Sequence, residues 1–588
     1  MTAGPVESAP ARAPAPVAGA PRALARAAVL LVLAAALALA HGEIWLSGAT
    51  RVVPLTLDGF DVGLRPVAVE DVTFESWLVA RQARVLGSRP WRLFETEHCA
   101  PEPHSLVFGI PMIALGVLAM PAAPWTQSPI AVYNAALVMW SGLAALAMYL
   151  LVASWTGQRA AGLVAALLFA FHPMRLGNIT HPAEWDSTWT VFLLYFAERL
   201  FAHGRWRDAA GLGASGAMLV ATSFYSLLAA TLLAVPLGAW LLLRRAPRRV
   251  TAAQLACVAA CVALATAVLM GPYLGARESA RIHARDAFFF AGWPMYLPGG
   301  PFFLGGALLA AALFGVMTPK HVALSRVAGD PRPALLAGAA LVAFVAAGPA
   351  TAALLTQLGL PVPGFDPYAG LAEWIPGLDS VRAIARLSAA VHMVACVLAG
   401  AGVASAIAYA GRRALGAAIA LVALAFAVCF HGPPLGVGPL RWTLEPIAPS
   451  PASIEFFEAL AAQGNRGALL ELPLDFSASE TWFFYGPSRI LLSGWHGRRT
   501  SACFGSFVPP GRKALESLVA YLPTRESIRA LREQGFTTIV IHHPNGVLNA
   551  PPLLATLDSA ANEPDPPLRM LQRIGEMSAY ALLDEPAR

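Results

Sequence analysis

Charged residues are scarce in this chain of 588 residues. Only 13% of them are Asp, Glu, Lys or Arg, 57% are hydrophobic, and the mean hydropathy is +0.59. This composition excludes a soluble protein of such length and indicates a membrane protein. The net charge of +6 comes largely from arginine in short loops between hydrophobic runs, and no basic patch with interleaved aromatic residues is present. We therefore expect no nucleic-acid partner.

Several patterns that would point to soluble enzymes are also missing. The six cysteines include no Cys-x-x-Cys pair and no zinc spacing, and no phosphate-binding glycine loop or Ser-His-Asp arrangement stands out. The sequence thus implies no cofactor, and a divalent metal has no support. Four cysteines fall in or beside apolar runs. Cys99 and Cys503 instead fall in segments expected outside the membrane, where a disulfide is permitted, and the sequence leaves that pairing open.

The hydrophobic runs predict a mainly α fold, a polytopic bundle of transmembrane helices. Runs of about 17 to 25 apolar residues can cross the roughly 30 Å hydrocarbon layer as helices. The pattern predicts about 11 spans, near residues 27–46, 130–153, 160–174, 187–202, 209–222, 226–243, 252–274, 301–318, 333–357, 388–410 and 414–431. Arginine-rich loops at every second connection share the cytoplasmic side with the N-terminal tail. The apolar stretch 105–120, interrupted by Pro111, must then lie at the outer surface without crossing.

Three regions follow from this topology. Residues 1–26, rich in Pro and Ala, are expected to be a disordered cytoplasmic tail, followed by a signal anchor or a cleavable secretory signal. Residues 27–432 form the bundle, including a long outer loop at 47–129. Residues 433–588 follow a Pro/Gly-rich linker and predict a small extracytoplasmic α/β domain. Its expected elements are a helix from Ser450 to Gly464, strands at 467–474 and 536–542, and a helix at 524–535.

The outer loop carries a dense set of carboxylates, which makes it the first candidate for chemistry. Asp71 is the expected general base at the membrane surface, with Glu70 and Glu97 as assisting acids. The structural alternative is that Glu70 and Asp71 lie in the first turn of a helix and interact with its dipole. Asp58 and Asp61 fit turn chemistry better than catalysis.

Arginines in outer loops suggest an anion site. Arg382 and Arg386 lie four residues apart at the outer start of a predicted span, where the helix N-terminus is already positive, so a bound lipid phosphate would explain them. Arg281, within a stripe of arginines at 277–285, is a further candidate for phosphate binding. Its alternative is surface pairing with nearby acids.

A third cluster lies between two spans at 171–187. His172, Arg175 and His181 are candidates for substrate binding there, beside Glu184 and Asp186. The alternative is a solvated interfacial loop anchored by tryptophans.

Together these segments resemble the GT-C superfamily of integral-membrane glycosyltransferases, and a bacterial branch of it in particular. The resemblance covers most of residues 27–543. The stretches that carry it are WRLFETEHCAPEPHSLVFG (91–109), IAVYNAALVMWSGLAAL (130–146), SWTGQRAAGLVAALLFAFHPMRLGNITHP (154–182), IPGLDSVRAIARLSA (375–389), GALLELPL (467–474) and SGWHGRRTSACFGSFVPPG (493–511).

The resemblance implies sugar transfer from a polyprenyl-phosphate donor to a glycan, lipid or protein acceptor outside a bacterial inner membrane. By position, Asp71 is similar to the acid of the first loop in that branch. The branch often has Ser-Glu-His near the end of this loop, whereas this chain has Phe108-Gly109-Ile110-Pro111. That difference leaves a rival open, a non-catalytic relative that binds lipid-linked glycan during envelope assembly. A transporter or flippase is disfavoured because ionisable residues in mid-span are nearly absent.

Overall fold

The structure, a computed structural model, is mainly helical, with a small C-terminal sheet. It describes residues 22–57, 65–244, 249–280, 289–298, 300–360, 362–375, 378, 381–411, 441–464, 466–474, 486–507, 509–543 and 550–583. The helices before the C-terminal domain are α1 (Arg22–Leu46), α2 (Arg65–Ser88), α3 (Ile113–Ala119), α4 (Pro129–Thr156), α5 (Arg159–Ala170), α6 (Pro173–Leu176), α7 (Thr188–His203), α8 (Trp206–Val220), α9 (Phe224–Leu243), α10 (Ala252–Ala280), α11 (Gly306–Met317), α12 (Lys320–Ala323), α13 (Arg332–Ala347), α14 (Ala350–Gln357), α15 (Pro367–Trp374) and α16 (Ser388–Ala410). Short 3₁₀ segments lie at Pro90–Arg92, Ser105–Phe108, Ala123–Trp125, Trp293–Tyr296 and Ile384–Leu387.

Within the described ranges, 6 helices are long and apolar enough to cross a membrane. They are Ala27–Leu46, Pro129–Thr156, Arg159–Leu176, Phe224–Leu243, Ala252–Ala276 and Ile384–Ala410. The region 333–357 forms two helices bent by 113° rather than one straight helix, and counting this pair as one span gives 7. The bend follows Gly348, whose φ of +51° favours glycine, and Pro349. A multi-pass membrane protein is thus supported, while the count of 11 is not confirmed and the span at 414–431 lies outside the described residues.

Helix α2 lies within the expected outer loop and is buried along most of its middle. It packs against α3, α4 and a helix of the C-terminal domain. It begins at Arg65, so Glu70 and Asp71 are not in its first turn, and the expectation of a helix starting at these acids was wrong. Their carboxylates therefore cannot cap this helix, which removes the main structural explanation for them.

Helix α3 has 7 residues, so at about 1.5 Å per residue it is far too short to cross a bilayer. The apolar stretch 105–120 thus contains no crossing helix.

Glycines let α11 and the middle of α16 approach closely. A Cβ atom on Gly402 would lie 2.0 Å from the carbonyl oxygen of Ala311, and one on Gly315 would lie 2.1 Å from that of Leu398. Small residues commonly permit such contact between membrane helices.

The C-terminal domain has a four-stranded sheet in the order β3-β4-β6-β5. Its strands are β3 (Ala468–Leu472), β4 (Phe536–His542), β5 (Leu568–Ile574) and β6 (Met577–Leu582), and its helices are α17 (Pro451–Ala462), α18 (Gly486–His496), α19 (Arg512–Ala520), α20 (Arg525–Glu533) and α21 (Ala550–Ala561). Strand β4 pairs parallel with β3 and antiparallel with β6, and β5 pairs antiparallel with β6. Ser450 and Thr524 cap α17 and α20. These two helices, with strands β3 and β4, confirm the elements expected from the sequence in this domain.

Strand pairing and a disulfide join this domain to the outer loop at 47–129, called the acidic loop below. Strand β1 (Val52–Leu57) pairs antiparallel with β2 (Trp442–Pro446). A disulfide links Cys99 to Cys503, which answers the question that the sequence left open. Beside it, the Cys99 amide donates to the carbonyl of Ala502 at 2.8 Å, and the Thr500 amide donates to that of Glu97 at 2.7 Å.

Candidate active site

Two carboxylates on α2 share one imidazole from a distant loop. Asp71 and Glu75 lie one turn apart on the same face of the helix. His181, between α6 and α7, places Nε2 3.6 Å from Oδ2 of Asp71 and Nδ1 3.3 Å from Oε1 of Glu75. The Asp71 side chain is 26% exposed and that of Glu75 only 6%. Asp71 is therefore the carboxylate that a substrate can reach.

Further polar groups surround this trio. The hydroxyl of Tyr133 on α4 donates to Oε2 of Glu75 at 3.3 Å. Arg386, in the 3₁₀ segment before α16, forms a buried ion pair with Glu184 of the same loop as His181. The Arg386 guanidinium also lies over the ring of Tyr225, 5.3 Å from its centroid. The site is thus assembled from α2, α4, α9, the α6–α7 loop and the entry to α16.

Burial sets the proton affinities of the acids. It raises the pKa of Asp71 to about 7, against the opposing charge of Arg386. Burial, and then the charge of Asp71, raise the pKa of Glu75 well above its usual range. Burial, and then Arg386, lower the pKa of His181, so this imidazole is held neutral. A carboxylate with a pKa near neutrality is suited to general-base chemistry.

The α6–α7 loop is anchored at both ends. At its start, the hydroxyl of Thr56 on β1 donates to the carbonyl of Gly177 at 3.0 Å. At its end, Ser223 donates to the carbonyl of Ala183 at 3.0 Å, and Ser226 donates to that of Asp186 at 2.7 Å. His181 and Glu184 therefore project from a segment whose backbone is fixed.

Arg175, a predicted substrate-binding residue, belongs to this anchor. Its guanidinium is buried 3.5 Å from the centroid of the Trp140 ring and pairs with Oδ1 of Asp186 at 3.4 Å. The indole of Trp140 and the hydroxyl of Thr188 donate to the same carboxylate oxygen, at 3.0 Å and 2.6 Å. Arg175 thus contacts residues that hold the loop rather than the Asp71 carboxylate.

The other predicted residues are distributed as follows. His172 is buried, accepts a hydrogen bond from the Met174 amide at 3.1 Å and packs against His392, with 4.5 Å between ring centroids. Glu70 is half-buried beside Asp71 on α2. Glu97 pairs with Arg81 at 3.2 Å, at the junction with the C-terminal domain.

The two arginines expected on one helical face are separated. Helix α16 starts only at Ser388, so Arg382 lies in the preceding irregular segment while Arg386 lies in the 3₁₀ turn. Their side chains lie in different surroundings. The Arg382 guanidinium lies 5.3 Å from the centroid of the Phe507 ring, whereas Arg386 pairs with Glu184. Arg281, Asp58 and Asp61 lie outside the described residues.

The sequence alone does not single out Glu75, Tyr133 or Tyr225 as site residues. The spacing of four residues between Asp71 and Glu75 was a usable signal, since such pairs share a helix face. Tyr133 and Tyr225 sit within apolar spans, where no local pattern marks them. Across the described residues, no group of three or more His, Cys, Asp or Glu side chains is arranged to hold a metal ion.

Comparison with known structures identifies the architecture. The structure is similar to the cryo-EM structure of the arabinofuranosyltransferase AftD from Mycobacteria, with a TM-score of 0.52 and 15% sequence identity over 95% of this chain and 40% of that chain. The chain shares the fold of that part of AftD. A mutant form of AftD gives the same TM-score and identity, over 95% of this chain and 41% of that chain. This chain therefore spans about two fifths of the length of those proteins.

The shared fold agrees with the resemblance noted from the sequence. No family model and no curated protein matches the sequence itself. Any role for the cluster around Asp71 must therefore be argued from its own geometry.

Proposed function

We propose that this chain is a membrane glycosyltransferase that moves a sugar from a polyprenyl-phosphate donor to an acceptor hydroxyl on the outer side of a bacterial inner membrane. The observation that carries the proposal is the partly exposed Asp71 carboxylate, held beside His181 and Glu75 with a pKa near neutrality. The fold shared with the arabinofuranosyltransferase AftD supports the reaction class.

Asp71 acts as the general base in this proposal. As the acceptor oxygen attacks the anomeric carbon of the sugar, its proton passes to the Asp71 carboxylate. The bond from that carbon to the phosphate oxygen breaks, and its electron pair leaves with the phosphate, in a single displacement that inverts the anomeric centre. His181 orients the Asp71 carboxylate, and Glu75 holds His181. We assign the assisting role to Glu75 rather than Glu97, because Glu97 is engaged by Arg81.

Arg382 and Arg386 supply the positive charge for the leaving phosphate. Arginine suits this role because its planar fork can donate two parallel hydrogen bonds to phosphate. The amide of Ala383, between them, donates to the hydroxyl of Tyr225 at 3.1 Å, and the Tyr225 ring faces Arg386. Tyr225 thus contacts the Arg386 guanidinium with its ring and holds the backbone between the two arginines with its hydroxyl.

The disulfide supports an outer location for the site. Disulfides persist in oxidising compartments, which lie outside the bacterial cytoplasm. The Cys99–Cys503 link joins the loop after α2 to the C-terminal domain, so both are expected on that side. The same placement was predicted from the arginine-rich loops.

The test is release of polyprenyl phosphate from radiolabelled polyprenyl-phosphate pentoses and hexoses by purified protein in lipid discs, with membrane-extract glycans and lipids as acceptors. Asp71→Asn should lower turnover by about 10² to 10⁴-fold, the usual contribution of a general base. Glu526→Gln, which removes an exposed carboxylate on α20, is the matched control and should match the wild type.

Two results would count against this assignment. Full turnover by a folded Asp71→Asn protein would remove the proposed base. Donor binding without turnover in the wild type would favour the second candidate function, a non-catalytic protein that binds lipid-linked glycan. That candidate is kept because Phe108–Pro111 stand where the related branch has Ser-Glu-His.

A further inference from the structure

A segment of the C-terminal domain borders the candidate site on two sides. This site-bordering segment, residues 503–507, begins at the disulfide. Phe504 packs against Phe74, which lies between Asp71 and Glu75 on α2, with 5.2 Å between ring centroids. At the other end of the segment, the Phe507 ring lies under the Arg382 guanidinium at 5.3 Å. The segment therefore reaches from the helix of the proposed base to a proposed phosphate ligand.

The backbone of this segment is held in register with the acidic loop. The amides of Ser506 and Phe507 both donate to the carbonyl of Phe108, at 2.7 Å and 3.2 Å. A Cβ atom on Gly505 would lie 2.8 Å from the same oxygen, so this approach requires glycine. Phe108 begins the Phe-Gly-Ile-Pro stretch that stands where the related branch has Ser-Glu-His. In this chain the Phe108 carbonyl at the start of the stretch holds the site-bordering segment.

Contact with an aromatic face restrains a guanidinium without using its hydrogen-bonding edge. The ring attracts the cation through its π face, while the N–H groups point outward in the plane of the guanidinium. Arginine side chains carry about 2 kcal/mol of rotamer entropy, so a ring that limits their motion reduces the cost of binding an anion. Phe507 is the ring found in this position beside Arg382.

We propose that Phe507 is a positioning residue for the lipid-phosphate site, contributed by the C-terminal domain to hold Arg382 toward the donor phosphate. This inference rests on the proposed function, since it needs Arg382 to bind that phosphate. It makes the C-terminal domain part of the donor site.

The experiment compares binding of a short polyprenyl monophosphate with binding of the uncharged polyprenol of equal length, by full-length protein in lipid discs. Phe507→Leu should weaken monophosphate binding by about 3- to 30-fold, the range of a partly to fully desolvated cation–π contact, and leave polyprenol binding unchanged. Phe507→Tyr, which keeps the ring, should retain the wild-type affinity. Tyr521→Leu, at an aromatic residue that is 69% exposed in the same domain, is the control for loss of a ring.

A double-mutant cycle separates positioning from general packing. If Phe507 acts through Arg382, Phe507→Leu should have no further effect on monophosphate binding in an Arg382→Gln protein. An equal loss in both backgrounds, an equal loss for polyprenol, or no loss at all would overturn the role of Phe507 while leaving Arg382 as a phosphate ligand. Equal affinity of the wild type for monophosphate and polyprenol would instead overturn the phosphate site itself. Thermal unfolding of each variant confirms that the compared proteins are folded.

Discussion

The Nδ1 atom of His181 lies 3.3 Å from Oε1 of Glu75, so an imidazole between two spans is held against a helix 106 residues earlier in the chain. A neutral imidazole has one N–H, and it can donate to only one carboxylate at a time. The proton positions on Asp71, Glu75 and His181 therefore depend on one another. Asp71 is the more exposed of the two carboxylates, so in the proposed reaction the proton of the acceptor hydroxyl would pass to Asp71.

The first prediction concerns the pH dependence of turnover. Because the pKa of Asp71 is raised to about 7 and the base must be ionised, kcat/KM should rise with pH and level off above that value. A rate profile measured from about pH 5 to about pH 9 tests this, and the residual activity of Asp71→Asn should lack this acidic limb. An acidic limb at the ordinary carboxyl value of about 4 would contradict the assignment.

The same shift in the pKa of Asp71 makes stability depend on pH. The folded protein binds the Asp71 proton more tightly than the unfolded chain does. The contribution of this proton to the free energy of unfolding is therefore fully present below the unfolded pKa of about 4. It should be lost as pH rises through about 7. Thermal unfolding across this window should show a smaller decline in the Asp71→Asn protein.

The second prediction tests whether turnover requires the hydrogen bonds of Glu75 or its negative charge. Burial and the charge of Asp71 favour the neutral form of this acid, so Glu75→Gln is a close substitute and should keep turnover within about tenfold. Glu75→Ala leaves His181 and Tyr133 without this partner, at a cost of about 1 to 3 kcal/mol, and should lower turnover by about 10- to 100-fold. Measured kcat for the two variants decides the matter. Equal loss in both would mean that the charge of Glu75, and not its hydrogen bonds, is required.

The third prediction uses the buried pair of Arg386 and Glu184. Arg386→Leu alone leaves the Glu184 carboxylate buried without its partner, and should lower the free energy of unfolding by about 3 to 5 kcal/mol. The double variant Arg386→Leu/Glu184→Leu should recover most of this stability, because an apolar pair of similar volume fits a buried site. Turnover should not recover, since the phosphate would still lack Arg386. A double variant with restored turnover would show that Arg386 serves only to neutralise Glu184.

Much of the fold could be predicted from local patterns. Hydrophobic length indicated α4, α9, α10 and α16, and alternating apolar residues indicated β4, because both signals depend only on neighbours in the chain. The sequence pattern predicts a start of α2 at Glu70 and Asp71, whereas the helix begins at Arg65, because the residues before these acids carry no capping signal. The bend at Gly348 was also missed within an otherwise apolar run.

The candidate site was only partly predictable, for a physical reason. Asp71, His181 and Arg386 each stood out as polar groups beside spans, yet their convergence depends on how separate helices pack, which no local pattern encodes. The sequence predicts Arg382 and Arg386 on one helix and therefore gives them the same role. The later start of α16 instead sends one toward Phe507 and the other toward Glu184.

The final prediction tests the side of the membrane on which the site lies. If Cys99 and Cys503 are joined in cells, denatured protein trapped without reductant should gain two further maleimide labels after reduction. The double variant Cys99→Ser/Cys503→Ser should lose this gain, whereas Cys257→Ser, at a free cysteine of α10, should keep it.

Loss of a link across 404 residues should also lower stability by about 2 to 5 kcal/mol. An equal number of labels with and without reductant would place these segments in a reducing compartment. That result would show that the outer location is wrong and that the donor would have to bind at the cytoplasmic face. The roles of Asp71 and Arg386 could still be measured.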